Sequence, residues 1–147
     1  MARETEILII GAGIAGCTAA LKLAEKKRHV TLLCANDRKS SNSYMAQGGI
    51  VYKGKGDSKE LLAKDISDAG AGLCYPKAVD FIADKGPQFV KEILVDELKV
   101  PFDSNENILS LTEEGAHSLA RILHHKDSSG EAIMNSLLEA LESSPYV

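Results

Sequence analysis

Gly11-Ala12-Gly13-Ile14-Ala15-Gly16 restricts the fold of this chain more than any other stretch. It follows Glu6-Ile7-Leu8-Ile9-Ile10, an apolar run of the kind that forms a short buried strand in a parallel sheet. Each glycine has a physical reason in a strand-to-helix turn. The first lets the chain leave the strand sharply, the second lets the backbone approach a pyrophosphate, and the third lets the following helix pack on the strand. The residues from Cys17 to Lys27 place Ala19, Ala20, Leu23 and Ala24 on one face, so a helix is expected there. His29 to Cys34 reads as a second strand. Strand, glycine loop, helix and strand thus follow within about thirty residues, the size of one βαβ unit. A helix N-terminus offers free N–H groups and a positive dipole end to an anion, so the spacing predicts a dinucleotide site.

An acid about 20 residues further on would complete the usual ribose contact. The second strand ends Leu33-Cys34-Ala35 with no carboxylate, and Asp37 comes two residues late. It is a candidate ribose ligand or a solvated loop acid. From Ala35 to Gly56 polar residues and glycines prevail, as in a functional loop or a disordered tract. Within it, Ser40-Ser41-Asn42-Ser43-Tyr44-Met45-Ala46-Gln47-Gly48-Gly49 combines hydroxyls, amides and paired glycines. From the residues alone, two readings stand equal: a flexible polar loop, or a backbone passing close to a ring.

Further on, Asp57-Ser58-Lys59-Glu60 reads as a capping box before a helix ending near Ala69. Pro76 and Pro87 stand where proline opens a helix, predicting separate helices over Pro76–Asp84 and Pro87–Leu98. Val100-Pro101-Phe102 reads as extended, a last helix spans Ser128 to about Glu142, and Tyr146-Val147 opens another extended element. With only two good parallel strands, the sheet reads as unfinished.

Composition narrows the class. Apolar residues make up 44% of 147, ordinary for a folded core. Net charge is −4 with no basic block, so nucleic-acid binding has no support. No apolar run is long enough for a membrane span, and Met1 to Glu6 carries no apolar leader. The three cysteines, Cys17, Cys34 and Cys74, are odd in number and widely spaced, which suits free, mostly buried thiols in a reducing cytoplasm. No metal-ligand spacing occurs.

Several segments together resemble the L-aspartate oxidase and fumarate reductase/succinate dehydrogenase flavoprotein family. Ser40 to Gly49 is similar to its Ser-Ser-x-x-x-x-Ala-Gln-Gly-Gly segment. Asp68-Ala69-Gly70-Ala71-Gly72-Leu73-Cys74 resembles its Ala-Gly-x-Gly-Leu-Cys stretch, and Val100-Pro101-Phe102-Asp103 its Gly-Val-Pro-Phe-Asp. Thr112-Glu113-Glu114-Gly115-Ala116-His117-Ser118, Arg121-Ile122-Leu123-His124 and Asp127-Ser128-Ser129-Gly130 resemble segments of its aspartate oxidase branch. The sequence departs from that branch at Ala35, where many members have lysine, and at Ala116, where they have glycine.

The resemblance implies an α/β fold: a Rossmann-like FAD-binding βαβ unit with a helical insertion, its sheet incomplete because the chain is truncated. Residues 5–35 would be the βαβ unit, 36–56 the flavin loop and 57–147 helical segments, with the capping and C-terminal helical domains absent. FAD would be held by Gly11, Ala12, Gly13, Ile14, Ala15 and Gly16. It would also be held by Ser40, Ser41, Asn42, Ser43, Tyr44, Met45, Ala46, Gln47, Gly48 and Gly49. In the succinate and fumarate branch a histidine in this loop commonly carries the flavin covalently; here that position is Asn42, which implies non-covalent FAD.

The implied reaction is oxidation of L-aspartate to iminoaspartate, with oxygen or fumarate as electron acceptor. It would feed quinolinate and NAD formation in the cytoplasm, with quinolinate synthase as a partner. Glu114 would orient the substrate ammonium, or be a loop acid beside Glu113. His117 would bond a flavin or substrate oxygen, or satisfy local backbone. Arg121 would pair with a ligand anion or form a structural ion pair. His124 and His125, being adjacent, are expected to face apart. The family's substrate-binding arginines fall in later segments, so this polypeptide alone is expected to be inactive. The alternatives are a succinate- or fumarate-type dicarboxylate oxidoreductase and an FAD-binding module without catalysis.

Overall fold

The structure, a computed structural model, describes residues 5–147. The reading of a leader-free N-terminus falls largely on residues 1–4, outside that range. The chain divides into two compact units, Met1–Ala46 with Gly130–Val147, and Gln47–Ser129.

The first unit is the βαβ motif. Strand β1 (Ile7–Ile10) pairs in parallel with β2 (Val30–Leu33), Ile7 opposite Val30 and Ile10 opposite Leu33. Helix α1 (Ile14–Glu25) connects them and packs on both, burying Cys17, Ala20, Leu21 and Ala24. The strands are less buried than the apolar run predicts. Ile7 and Ile9 are half-buried, whereas Leu8, Ile10 and Leu33 are exposed. The reason is that α1 covers one face of the pair, and no element among the described residues covers the other. The thiols also differ from expectation: Cys17 is buried, and burial pushes its thiol up, but Cys34 is exposed.

After β2 come a 3₁₀ turn (Arg38–Ser40) and the single-turn helix α2 (Asn42–Met45), so the first part of the polar loop is structured. The last helix, α5 (Ser129–Glu142), buries Ile133, Met134, Leu137, Leu138 and Leu141, a stripe at helical spacing. Tyr146 then meets the sheet at one point, its carbonyl accepting from Val30 N at 2.8 Å. No third strand forms there.

In the second unit, β3 (Ile50–Val51), β7 (Ile122–Leu123) and β6 (Leu111–Thr112) make an antiparallel sheet in that order. Ser104–Asn105 (β4) and Ile108–Leu109 (β5) form a small hairpin. Residues 57–147 therefore hold short strands as well as helices. Helix α3 (Lys59–Ala69) is capped by Ser58, whose hydroxyl accepts from Leu61 N at 3.2 Å. Helix α4 (Pro76–Phe89) packs on α3.

The expected break at Pro87 does not occur. Pro87 lies inside α4, which passes directly into a π-helical segment over Val90–Glu97. Val79, Ala83, Val90 and Leu94 form one buried stripe through both segments, and burying it outweighs the local cost of the proline. Proline lacks the N–H of a regular helical bond, and the wider π turns follow it.

The side chain of Arg121, just before β7, is wholly buried and joins three segments. Its Nε and Nη2 both donate to Asp57, each at 2.9 Å, and its Nη1 donates to Asp65 at 2.7 Å. Asp57 is thus a partner of Arg121, and the helix cap falls to its neighbour Ser58. Asp65 Oδ2 also accepts from the amide and hydroxyl of Ser118, both at 2.9 Å. The Ser118 amide, with the Ser118 hydroxyl and Arg121, holds the Asp65 carboxyl below the usual carboxylate range against the opposing effect of burial.

Removing one member of such a cluster leaves a buried uncompensated charge. Arg121→Met is expected to cost about 3–5 kcal/mol in denaturant unfolding. A carboxyl depressed in the native state contributes stability above its unfolded pKa, about 4, and loses it as pH falls through the lower native value. Asp65→Asn should therefore be markedly less stable than the unsubstituted protein at pH 7, and the gap should narrow toward pH 3. A gap that stays constant with pH would contradict the assignment.

Candidate functional site

The first unit carries the dinucleotide-binding geometry. Gly11 leaves β1 at φ +110°, a conformation L side chains rarely adopt, and its N–H donates to Leu33 O at 2.8 Å. A Cβ on Gly16 would stand 1.9 Å from Gly11 O, so only glycine lets α1 begin this close to the strand. Gly13 caps α1 through its backbone alone, and no acid occupies the first turn. The positive end of the helix is therefore available to an anion. A cleft of about 230 Å³ opens there, lined by Gly11, Ala12 and Gly13 on one side and by Cys34 to Arg38, Ser40 and Ser41 on the other. The close backbone approach at the glycine turn and the helix dipole both fit the pyrophosphate end of a dinucleotide.

The serine loop is tied to this turn. Ile14 N donates to Ser43 Oγ at 3.1 Å, and Ser41 Oγ caps α2 by accepting from Tyr44 N at 3.1 Å. Tyr44 OH donates to Glu131 at 2.7 Å, while Asn42, Met45 and Ala46 are exposed. Asp37 lines the cleft, but its Oδ1 already accepts from Lys39 N at 2.7 Å.

The structure also gives Gly130 a role that sequence reading did not. Its N–H donates to Ala46 O at 2.8 Å, and a Cβ there would lie 2.1 Å from Ser43 O. Helix α5 thus starts in direct contact with the backbone of the serine loop.

In the second unit, Gln47, Gly48 and Gly49 lead into β3, and Glu114 follows β6. Gly48 and Glu114 come together: a Cβ on Gly48 would lie 3.8 Å from Glu114 Oε1. Glu114 is exposed, and its carboxylate has no hydrogen bond or ion pair among the described residues. Its backbone carbonyl accepts from His117 N at 3.1 Å, closing a turn that contains Ala116 at φ +69°. His117 is half-buried, with Nδ1 3.3 Å from Arg121 Nη1. Arg121 is committed to Asp57 and Asp65, which makes it a structural ion pair.

His124 and His125 do not face apart. Their Nδ1 atoms approach opposite oxygens of Asp103, at 3.2 and 3.5 Å. No cluster of three metal-ligating side chains occurs among the described residues. No helix among them is long and apolar enough to cross a membrane.

A βαβ turn with an open helix N-terminus and a polar loop bonded to it defines a dinucleotide-binding domain. The chain belongs to the FAD binding domain family, whose model matches residues 6–147. FAD is accordingly its cofactor. The chain is 39% identical to the L-aspartate oxidase of Neisseria meningitidis serogroup B, over 100% of this chain and 29% of that protein. It therefore spans less than a third of that relative's length. Among solved structures it resembles Sdh1 of Mycobacterium smegmatis, with a TM-score of 0.85 and 23% identity over 95% of this chain and 24% of that one. It also resembles the FrdA chain of E. coli quinol fumarate reductase, with a TM-score of 0.84 and 20% identity over 97% and 25%. These likenesses establish the FAD-binding fold of the fumarate reductase and succinate dehydrogenase flavoproteins.

Two substitutions test the local geometry. Gly130→Ala forces Ser43 and Ala46 to move and is expected to cost about 1–3 kcal/mol, with weaker FAD retention in flavin absorbance. Ala116→Gly relieves a left-handed alanine, so stability should rise by up to about 1 kcal/mol. A fall of that size in denaturant unfolding would contradict the strain.

Proposed function

We propose that this chain is the FAD-binding part of a flavin-dependent oxidase that converts L-aspartate to iminoaspartate. The observation that carries the substrate assignment is Glu114: an exposed carboxylate beside Gly48, without a partner among the described residues, in a segment that resembles one of the aspartate oxidase branch. An unpaired carboxylate is suited to orient an α-ammonium group, and holding the substrate in place is the protein's share of flavin chemistry.

The cofactor-binding set is Gly11 to Gly16 with Ser40 to Gly49. The N-terminus of α1 takes the pyrophosphate, and Ser43 keeps the serine loop on the glycine turn. FAD, when bound, supplies the hydride acceptor. Asn42 has no imidazole to form a covalent flavin bond, so the cofactor is held by non-covalent contacts. His117 contacts a flavin or substrate oxygen. The exposed thiol of Cys34 suits a reducing cytoplasm. Oxygen or fumarate would reoxidise the flavin, and the unstable imine product would pass to quinolinate synthase on the route to NAD. The fold likeness to fumarate reductase favours dicarboxylate oxidoreduction as the second reading.

The test uses the full gene product that contains this chain. It should consume L-aspartate and release hydrogen peroxide, oxidise succinate at least tenfold more slowly, and lose its yellow colour to the supernatant on acid precipitation. Preference for succinate would favour the second reading. Flavin remaining in the pellet would overturn non-covalent binding, and a colourless protein that never takes up FAD would leave neither oxidase reading standing.

A further inference from the structure

Arg121 is buried, yet one of its nitrogens faces a side chain that the ion-pair cluster does not need. The fork made by Nε and Nη2 on Asp57 fixes the guanidinium plane. Nη1 carries two hydrogens. One goes to Asp65 at 2.7 Å, and the other lies toward His117 Nδ1 at 3.3 Å. A guanidinium has five N–H donors and no acceptor. The contact is therefore a hydrogen bond only if Nδ1 offers its lone pair, and a neutral imidazole with a bare Nδ1 carries its proton on Nε2. The backbone N–H of His117 is separately tied to Glu114 O at 3.1 Å, so both ends of the residue are held.

We propose that Arg121 is a positioning residue that locks neutral His117 in its Nε2–H tautomer, so that the ring presents a hydrogen-bond donor to an oxygen acceptor such as a carboxylate or carbonyl. The inference rests on the reading above that His117 serves the bound cofactor or substrate. It deepens that reading by assigning the polarity of the contact: the neutral ring gives a proton to a hydrogen bond at Nε2 and has no lone pair there to act as a base. Asp57 and Asp65 support this arrangement by fixing Arg121.

The test is a long-range ¹H–¹⁵N spectrum of ¹⁵N-histidine-labelled protein at pH 8. The chain has four histidines, and His117 is assigned by the signal lost in His117→Gln. The expected result is a single tautomer, with Nδ1 in the range of an unprotonated ring nitrogen and Nε2 in the protonated range. Averaged shifts, or a protonated Nδ1, would overturn the proposal, and this spectrum of the unsubstituted protein decides it whether or not variants fold. In folded Arg121→Gln, whose amide can turn either an oxygen or an NH₂ group to the ring, the signals should move toward averaged values. A tautomer that stays locked there would remove Arg121 from the account. Flavin absorbance on the same samples separates the two readings. A locked tautomer without FAD uptake supports this inference and sinks the functional one; FAD uptake with averaged signals does the reverse.

Discussion

A guanidinium taken wholly out of water has to be met by carboxylates, and in the second unit that requirement fixes segments far apart in the chain. Arg121 draws together Asp57, just ahead of α3, and Asp65 within it, while Ser118 completes the coordination of Asp65. A buried ion cluster of this kind is not strong evidence of net stability, because desolvation offsets much of the attraction. What it does enforce is arrangement, since each member left without the others is costly. That arrangement holds the turn carrying Glu114, Ala116 and His117 between β6 and β7.

The first unit depends on close backbone approach. α1 begins against the end of β1 because Gly16 has no side chain, and α5 begins against the serine loop because Gly130 has none. Both contacts shape the same small region, where the helix N-terminus, the Ser43 hydroxyl and the cleft wall meet. The proposed cofactor site is thus built mainly from backbone, which suits a ligand whose pyrophosphate is recognised through N–H groups and a helix dipole. The side chains add register: Ser43 bonds the glycine turn, and Tyr44 bonds α5.

Much of this was legible in the sequence where the signal is local. The glycine spacing, the two apolar runs and the alanine-rich face place β1, α1 and β2 within a few residues of their observed ends. Composition alone left a flexible loop and an ordered one as equal readings of the serine loop. The structure shows its first part ordered and bonded to the glycine turn, and its cofactor-binding role is a proposal that rests on resemblance. Other features were not legible for definite reasons. Strands of two residues, such as β6 and β7, are too short to show a period. Pro87 looked like a helix start because its local chemistry says so, and only the continuous buried stripe from Val79 to Leu94 overrides it. Asp57 looked like part of a cap because its partner lies 64 residues away. The departure at Ala116 gained meaning only once its φ of +69° was known.

The most direct measurement is a crystal structure of the full gene product with FAD bound. The account predicts the pyrophosphate within hydrogen-bonding distance of backbone N–H groups between Ala12 and Gly16, with the adenosine end along the Cys34–Ser41 wall and no covalent bond from Asn42 to the flavin. A dinucleotide bound away from the N-terminus of α1, with the glycine turn free of it, would contradict the account.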